Sequence, residues 1–587
     1  MTMRSLPLLF FAVAGRISLI AADLGPYNVV WNTTHSYGPD GPWNVVTVGV
    51  GSNSNNEPLS YIDLYPGGIW ESMINTQAFC GGNDSVSCPA ASAGLYDYEH
   101  SSTAIQNVSS SVGLIWQWNS QDALNLSGIA KDVVDTMVLS TQFGPFTITN
   151  STISAVDVSQ IELPDGTNYS IEVGTLSLGA PGNGLQPFED LEGQTIPGQL
   201  ANEDAISSNS FGLHIGSASL KQAGSLTYGG YDQSRVLGEV GAFDLGSGNE
   251  MLPSLLDIEL GVENGTSPFG ADVVSRLLWL NESFNGVQPA VINPIVPYLF
   301  MSPQTCAAIA QNLPVTFQPN IGLYTWNTTD PQYRSIVSSP SYLAFVFQNS
   351  GAGNLTIKVP FQLLNLTLEP PIVSSPQQYF PCRPFHANEG SGNYFLGRAF
   401  LQAAFIGINW GNHKWFMAQA PGPSVGAADT QEIGPNDTSI NSDAISNFAA
   451  TWSKDWTPLS QSSNSSSNNT SSNNASPKSI GTPKSNPSKG LPSNAKAGIG
   501  IGVSVGALAI AGFALFVYLR RRKIVAPIQE NGRGAESTTD PNAVYEKEET
   551  RPVPEFGHDD VFESGGGVTY EADSGEPFHE LETNGRL

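Results

Sequence analysis

The sequence predicts an all-β fold of two lobes between Asp23 and Gly422, followed by a disordered stalk, a single membrane-crossing helix and a disordered tail. Three observations predict it. Short runs rich in Val, Ile, Leu, Thr and aromatic residues recur through this region, each closed by Gly, Asn, Asp or Pro, as strands and their turns are. Two of these runs, Tyr61 to Trp70 and Ala290 to Phe300, deliver one polar side chain each, Asp63 and Asn293, to a following turn, one in each half. Beyond Gly422 the hydrophobic periodicity fades, and apolar sequence returns only as one long run.

Taken in order, the chain opens with a basic residue, the apolar stretch Leu6–Ala14, a second apolar run and small residues before Asp23, so residues 1–22 read as a signal peptide. Trp43–Val50, Phe146–Asn150, Gly224–Gly230 and Phe405–Trp410 read as strands. Ser302–Gln311 is the best helix, because Ser302 can cap it and Pro303 suits its first position. The first lobe is expected over 23–235 and the second over 236–422. Entry to the secretory pathway permits disulfides, and Cys80, Cys88, Cys306 and Cys382 allow three pairings. The preferred one joins Cys80 to Cys88 around a Gly-Asn-Asp loop and Cys306 to Cys382. Asn-x-Ser/Thr sites at Asn32, Asn83, Asn107, Asn125, Asn150, Asn168, Asn264, Asn281, Asn327, Asn354, Asn365 and Asn436 predict a glycosylated exterior.

Residues 423–496 are assigned to the stalk, whose Ser/Asn-rich stretch cannot bury enough apolar area to offset its ordering entropy. Ala497–Leu519 is long enough and apolar enough to span a bilayer, and the Arg520–Lys523 cluster places the tail, 520–587, in the cytoplasm. A plasma-membrane protein with an external folded region follows. Gly498, Gly502 and Gly506 lie on one face of the span, where two helices could pack as a dimer.

A net charge of -28 excludes nucleic acid as a partner, since a phosphate backbone requires clustered cations. The histidines are dispersed and the cysteines lack zinc-ligand spacing, so neither a metal nor a cofactor is expected. Gly502-Val-Ser-Val-Gly506 matches a hydrolase nucleophile pattern but lies inside the membrane span, and Asp573-Ser-Gly575 lies in the charged tail.

The ordered set Trp43–Val50, Tyr61–Trp70, Gly174–Pro181, Phe211–Ile215, Gly224–Gly230, Ala290–Asn293, Tyr394–Leu401 and Phe405–Lys414 resembles the pepsin-like aspartic peptidase family from Asp23 to Gly422. The resemblance implies a bilobal pepsin-like fold with a cleft between the lobes. It matches Asp63 to the family's first catalytic Asp and places Asn293 where the second stands. That chemistry needs two carboxylates sharing one proton, one acting as base and one as acid. An amide cannot relay a proton, and losing general acid–base transfer alone costs roughly 10²–10⁴ in rate. The Thr and Gly that follow each Asp in the family are Leu64 and Tyr65 in the first segment, Pro294 and Ile295 in the second. Tyr65 and Pro294 are expected to line the cleft, and Trp116 or Trp118 to stand for the family's flap tyrosine.

Three functions fit these residues. The first is an inert pepsin-fold surface glycoprotein that binds extended peptide or protein, or serves as a scaffold. The second is an aspartic endopeptidase with residual or unusual activity at acidic pH. The third is a wall or adhesion protein in which the fold is incidental.

Overall fold

The computed structural model describes residues 25–460, apart from 82–87, 107–111, 114–116, 183–184, 189–190, 281–285, 351–352, 386–391 and 445–446. The signal peptide, the Ala497–Leu519 span, the tail and Trp116 therefore lie outside the described residues, as do Asn83, Asn107 and Asn281. Among the described residues no helix is long and apolar enough to cross a membrane.

The predicted all-β, two-lobed architecture is the one observed. In the first half a twelve-stranded sheet is built on the long antiparallel pair Leu126–Thr141 and Gly144–Glu162; Trp43–Ser52 pairs with Leu126–Thr141, and Pro58–Gly68 with Trp43–Ser52. Val45, Val46, Val48 and Val50 are all buried, so Trp43–Ser52 is covered on both faces, which suits its run of β-branched residues. In the second half, Gln288–Ile292 and Tyr394–Leu396 belong to an eight-stranded sheet that also holds Ser254–Val262, Ser341–Gln348 and Asn354–Pro360. A six-stranded sheet joins the halves by placing Ser210–His214 beside Ala404–Asn409. The predicted helix runs over Pro303–Ala310, with the Ser302 hydroxyl accepting from the Thr305 N–H at 3.2 Å.

Both preferred disulfides form, Cys80 to Cys88 and Cys306 to Cys382, one in each lobe.

The folded region continues past Gly422, where composition had placed the start of the stalk. Thr430–Glu432 pairs antiparallel with Gly230–Asp232, and a short helix, Phe448–Trp452, follows. Trp452 and Trp456 stack at 5.1 Å and are both buried. The Leu459 carbonyl accepts from Thr266 N–H at 2.9 Å, returning this segment to the second lobe. A few aromatic residues spaced along polar sequence suffice to fasten it, because each Trp buries a large apolar area.

Candidate functional site

The site is defined by two parallel strand pairs that are internal counterparts. In the second lobe Ala290, Val291 and Ile292 pair with Tyr394, Phe395 and Leu396, and Asn293 follows. In the first lobe Tyr65 and Pro66 pair with Thr175 and Leu176, and Gly67 follows. By this register the counterpart of Asn293 is Gly67. The two loops meet there, since a Cβ built on Gly67 would lie 3.3 Å from Pro294.

Asp63 is therefore not brought to the meeting point, which corrects its assignment as half of a catalytic pair with Asn293. It lies four positions upstream of Gly67, about 13 Å back along an extended strand, opposite Thr47. Its carboxylate accepts from Asn32 Nδ2 at 3.1 and 3.2 Å and from the Thr47 hydroxyl, and lies 2.8 Å from the Tyr37 hydroxyl. His35 Nδ1 stands 3.4 Å away. Burial, reinforced by the Asp63 carboxylate, pushes the Tyr37 phenol well above its ordinary range. This cluster ties the strand Trp31–Tyr37 to its neighbours. Asn32 is one of the glycosylation sites, yet its amide is committed to Asp63 and Thr47. By contrast Asn125, Asn150, Asn168, Asn264, Asn327, Asn354 and Asn436 are exposed, and Asn365 is half-buried with its carbonyl accepting from Tyr333.

Asn293 is fully buried. Its Nδ2 donates to the Trp118 carbonyl at 3.2 Å, and its Oδ1 accepts from Ile295 N–H at 2.9 Å. Trp118 also donates from Nε1 to the Gly67 carbonyl at 2.7 Å and stacks on Trp410 at 6.1 Å. One residue thus bonds to both loops, its indole N–H to the Gly67 carbonyl and its backbone carbonyl to the Asn293 amide. It is buried and held at φ +55°, a region that costs a bulky residue energy. Gln117 beside it bonds Ile69 N–H and the Glu71 carbonyl, which fixes the segment after Gly67 and Gly68. Gly68 has to be glycine, since a Cβ there would meet the Glu71 carbonyl oxygen at 2.7 Å.

The remaining cleft residues sit to one side. Tyr65 is buried beneath the Arg398 guanidinium, 4.6 Å from its ring centre. Arg398 lies 4.0 Å from Asp40. Sequence spacing missed the Gly67 register because it is set by pairing with the distant Thr175–Ser177 strand. The Gly67-Gly68 doublet was the available signal, as glycine marks close backbone approach. Among the described residues no group of His, Cys, Asp or Glu could hold a metal.

No family model matches the chain. It is 26% identical over 239 residues to Secreted aspartic protease 8 of Candida albicans, covering 39% of this chain and 51% of that protein. It is 24% identical over 270 residues to the Acid protease of Saccharomycopsis fibuligera, covering 46% and 62% respectively. The chain thus spans about half the length of the curated relatives it matches. The crystal structure of aspartic proteinase from Irpex lacteus aligns with a TM-score of 0.43 at 15% identity, over 67% of this chain and 97% of that one. The sequence similarities support a pepsin-like aspartic peptidase relationship for the folded region.

Proposed function

We propose that this is a cell-surface membrane glycoprotein whose pepsin-like region is catalytically inert and acts by binding extended peptide or protein. The observation that carries this reading is the pair of facing positions, Gly67 and Asn293, with Trp118 bonded to both loops. Neither position supplies a carboxylate, so a water between them has no general base, and an amide supplies no acid. Membrane anchoring through Ala497–Leu519, with the folded region outside and the tail in the cytoplasm, completes the proposal.

Peptide cleavage by the full-length chain tests it, measured across about pH 3–7, the range in which a carboxylate pair would work, with and without pepstatin and beside Asp63→Ala. The expected result is equal inertness of both proteins. Turnover that pepstatin blocks overturns the reading in favour of an acid-active endopeptidase, the activity named for the two sequence relatives.

A further inference from the structure

Glu172 lines three adjoining cavities along the join between the lobes. The first, about 70 Å³, is mostly apolar and includes Tyr65, Tyr169, Ile295 and Arg398. The second, about 240 Å³, includes Pro39, Pro42, Thr367 and Glu369. The third, about 560 Å³, includes Phe79, Pro89, Tyr169 and Pro371. They share residues besides Glu172: Pro39 lies on the first and second, Tyr169 on the first and third, and Pro370 on the second and third. Together they form a run of depressions with aromatic and proline walls.

Several polar groups of this run are left unpaired. Ser159, Thr175 and Arg398 all line the first cavity and are more than nine-tenths buried, and the two hydroxyls and the Arg398 Nε have no hydrogen-bond partner among the described residues. Leaving such a group unpaired is costly, and a ligand that pairs it recovers that cost. The charges point to the ligand's sign. Asp40 is offset by Arg398 at 4.0 Å. The carboxylates of Glu172 and Glu369 have no hydrogen bond or ion pair among the described residues, so two negative charges remain uncompensated beside tyrosine rings. A carboxylate next to aromatic faces in a partly dry groove favours a cation with an apolar stem.

We propose that Glu172 anchors the cationic side chain, lysine or arginine, of a peptide lying in this run of cavities, with its apolar neighbours against Tyr65 and Tyr169. The proposal rests on the peptide-binding reading above and adds its charge specificity. Acidification should release the peptide, since half-burial and nearby Asp40 raise the Glu172 carboxyl and it takes up its proton sooner than an exposed one.

The test is binding of fluorescent, acetylated Leu-Val-Lys-Val-Leu amide to the full-length chain at neutral pH, compared with the same peptide carrying norleucine or glutamate in place of lysine. The lysine peptide is expected to bind about tenfold tighter than the norleucine one, and the glutamate peptide most weakly. Glu172→Gln should abolish the preference and Glu172→Asp should retain it. Equal binding of all three peptides, or a preference that survives Glu172→Gln, overturns the Glu172 assignment while peptide binding itself stands. Binding of none overturns both. Butylamine at the peptide's concentration should not displace it; full displacement would identify the ligand as a free amine and overturn the peptide assignment.

Discussion

Asn32, Thr47, Tyr37 and His35 surround the Asp63 carboxylate, which is itself almost entirely buried. Replacing it by Ala leaves several donors facing a gap, and hydrogen bonds to a charged group are worth more than neutral ones. Asp63→Ala is expected to lose about 2–4 kcal/mol of stability, measured by denaturant unfolding, without any change in peptide cleavage. A retained stability would show that the cluster contributes nothing. Asn293→Asp separates the same two roles at the other position. To donate to the Trp118 carbonyl, as the amide does now, the new side chain must keep its proton. That raises its pKa in the folded state, so the variant should lose stability relative to the parent as pH rises above about 4. It should still not cleave peptide, because Gly67 offers no second carboxylate. Cleavage by Asn293→Asp alone would mean that another acid reaches the site.

At the scale of elements, the two disulfides should differ in weight. They close loops with sequence separations of 8 and 76 residues. Loop-closure entropy gives about 2.5 kcal/mol for the shorter and about 4.5 for the longer. Cys306→Ser with Cys382→Ser should therefore lower the unfolding midpoint more than Cys80→Ser with Cys88→Ser; the reverse order would assign the larger effect to the first-lobe loop. The segment after Gly422 is expected to matter comparably. Trp452 is 1% exposed, and Trp452→Ala should cost about 3–5 kcal/mol, seen as a lower melting temperature. Ending the chain at Gly422 should destabilise the fold, whereas ending it after residue 460 should not. Elements with strong local signals were legible in the sequence: the Trp43–Ser52 strand from its β-branched run, and the Pro303–Ala310 helix from its Ser-Pro start. The extension was not, because its hold depends on a few separated side chains rather than a periodic pattern. Nor was the Gly67 register, which is set by pairing with Thr175–Ser177 more than a hundred positions away and not by spacing along the chain.

For the molecule as a whole, two buried groups with opposite shifts shape stability against pH. Burial, then the nearby Asp132 charge, pushes the Glu71 carboxyl from 4.5 up to about 8. Between those values the folded protein holds a proton that the unfolded chain has lost, so stability falls as pH rises through the window. Burial, then nearby Arg235, lowers His214 from 6.5 to about 3. Its Nε2–H donates to the Gln402 carbonyl at 3.0 Å, which fits a neutral ring. Here the unfolded chain binds the extra proton, so stability falls as pH drops from 6.5 toward 3. The two slopes are equal and opposite between 4.5 and 6.5, where they cancel. Glu172 and Glu259 are raised too, which gives this plateau a shallow downward tilt with rising pH. Stability should therefore be greatest in the mildly acidic range and decline on both sides, as melting temperatures across pH would show. Glu71→Gln should flatten the decline above 6.5, and His214→Asn the decline below 4.5. A maximum above pH 8 would contradict the Glu71 assignment, and an acid limb unchanged in His214→Asn would contradict that of His214. Inertness toward peptides measured between pH 4.5 and 6.5 therefore belongs to a folded protein, since that is the range in which the two slopes cancel and the fold is most secure.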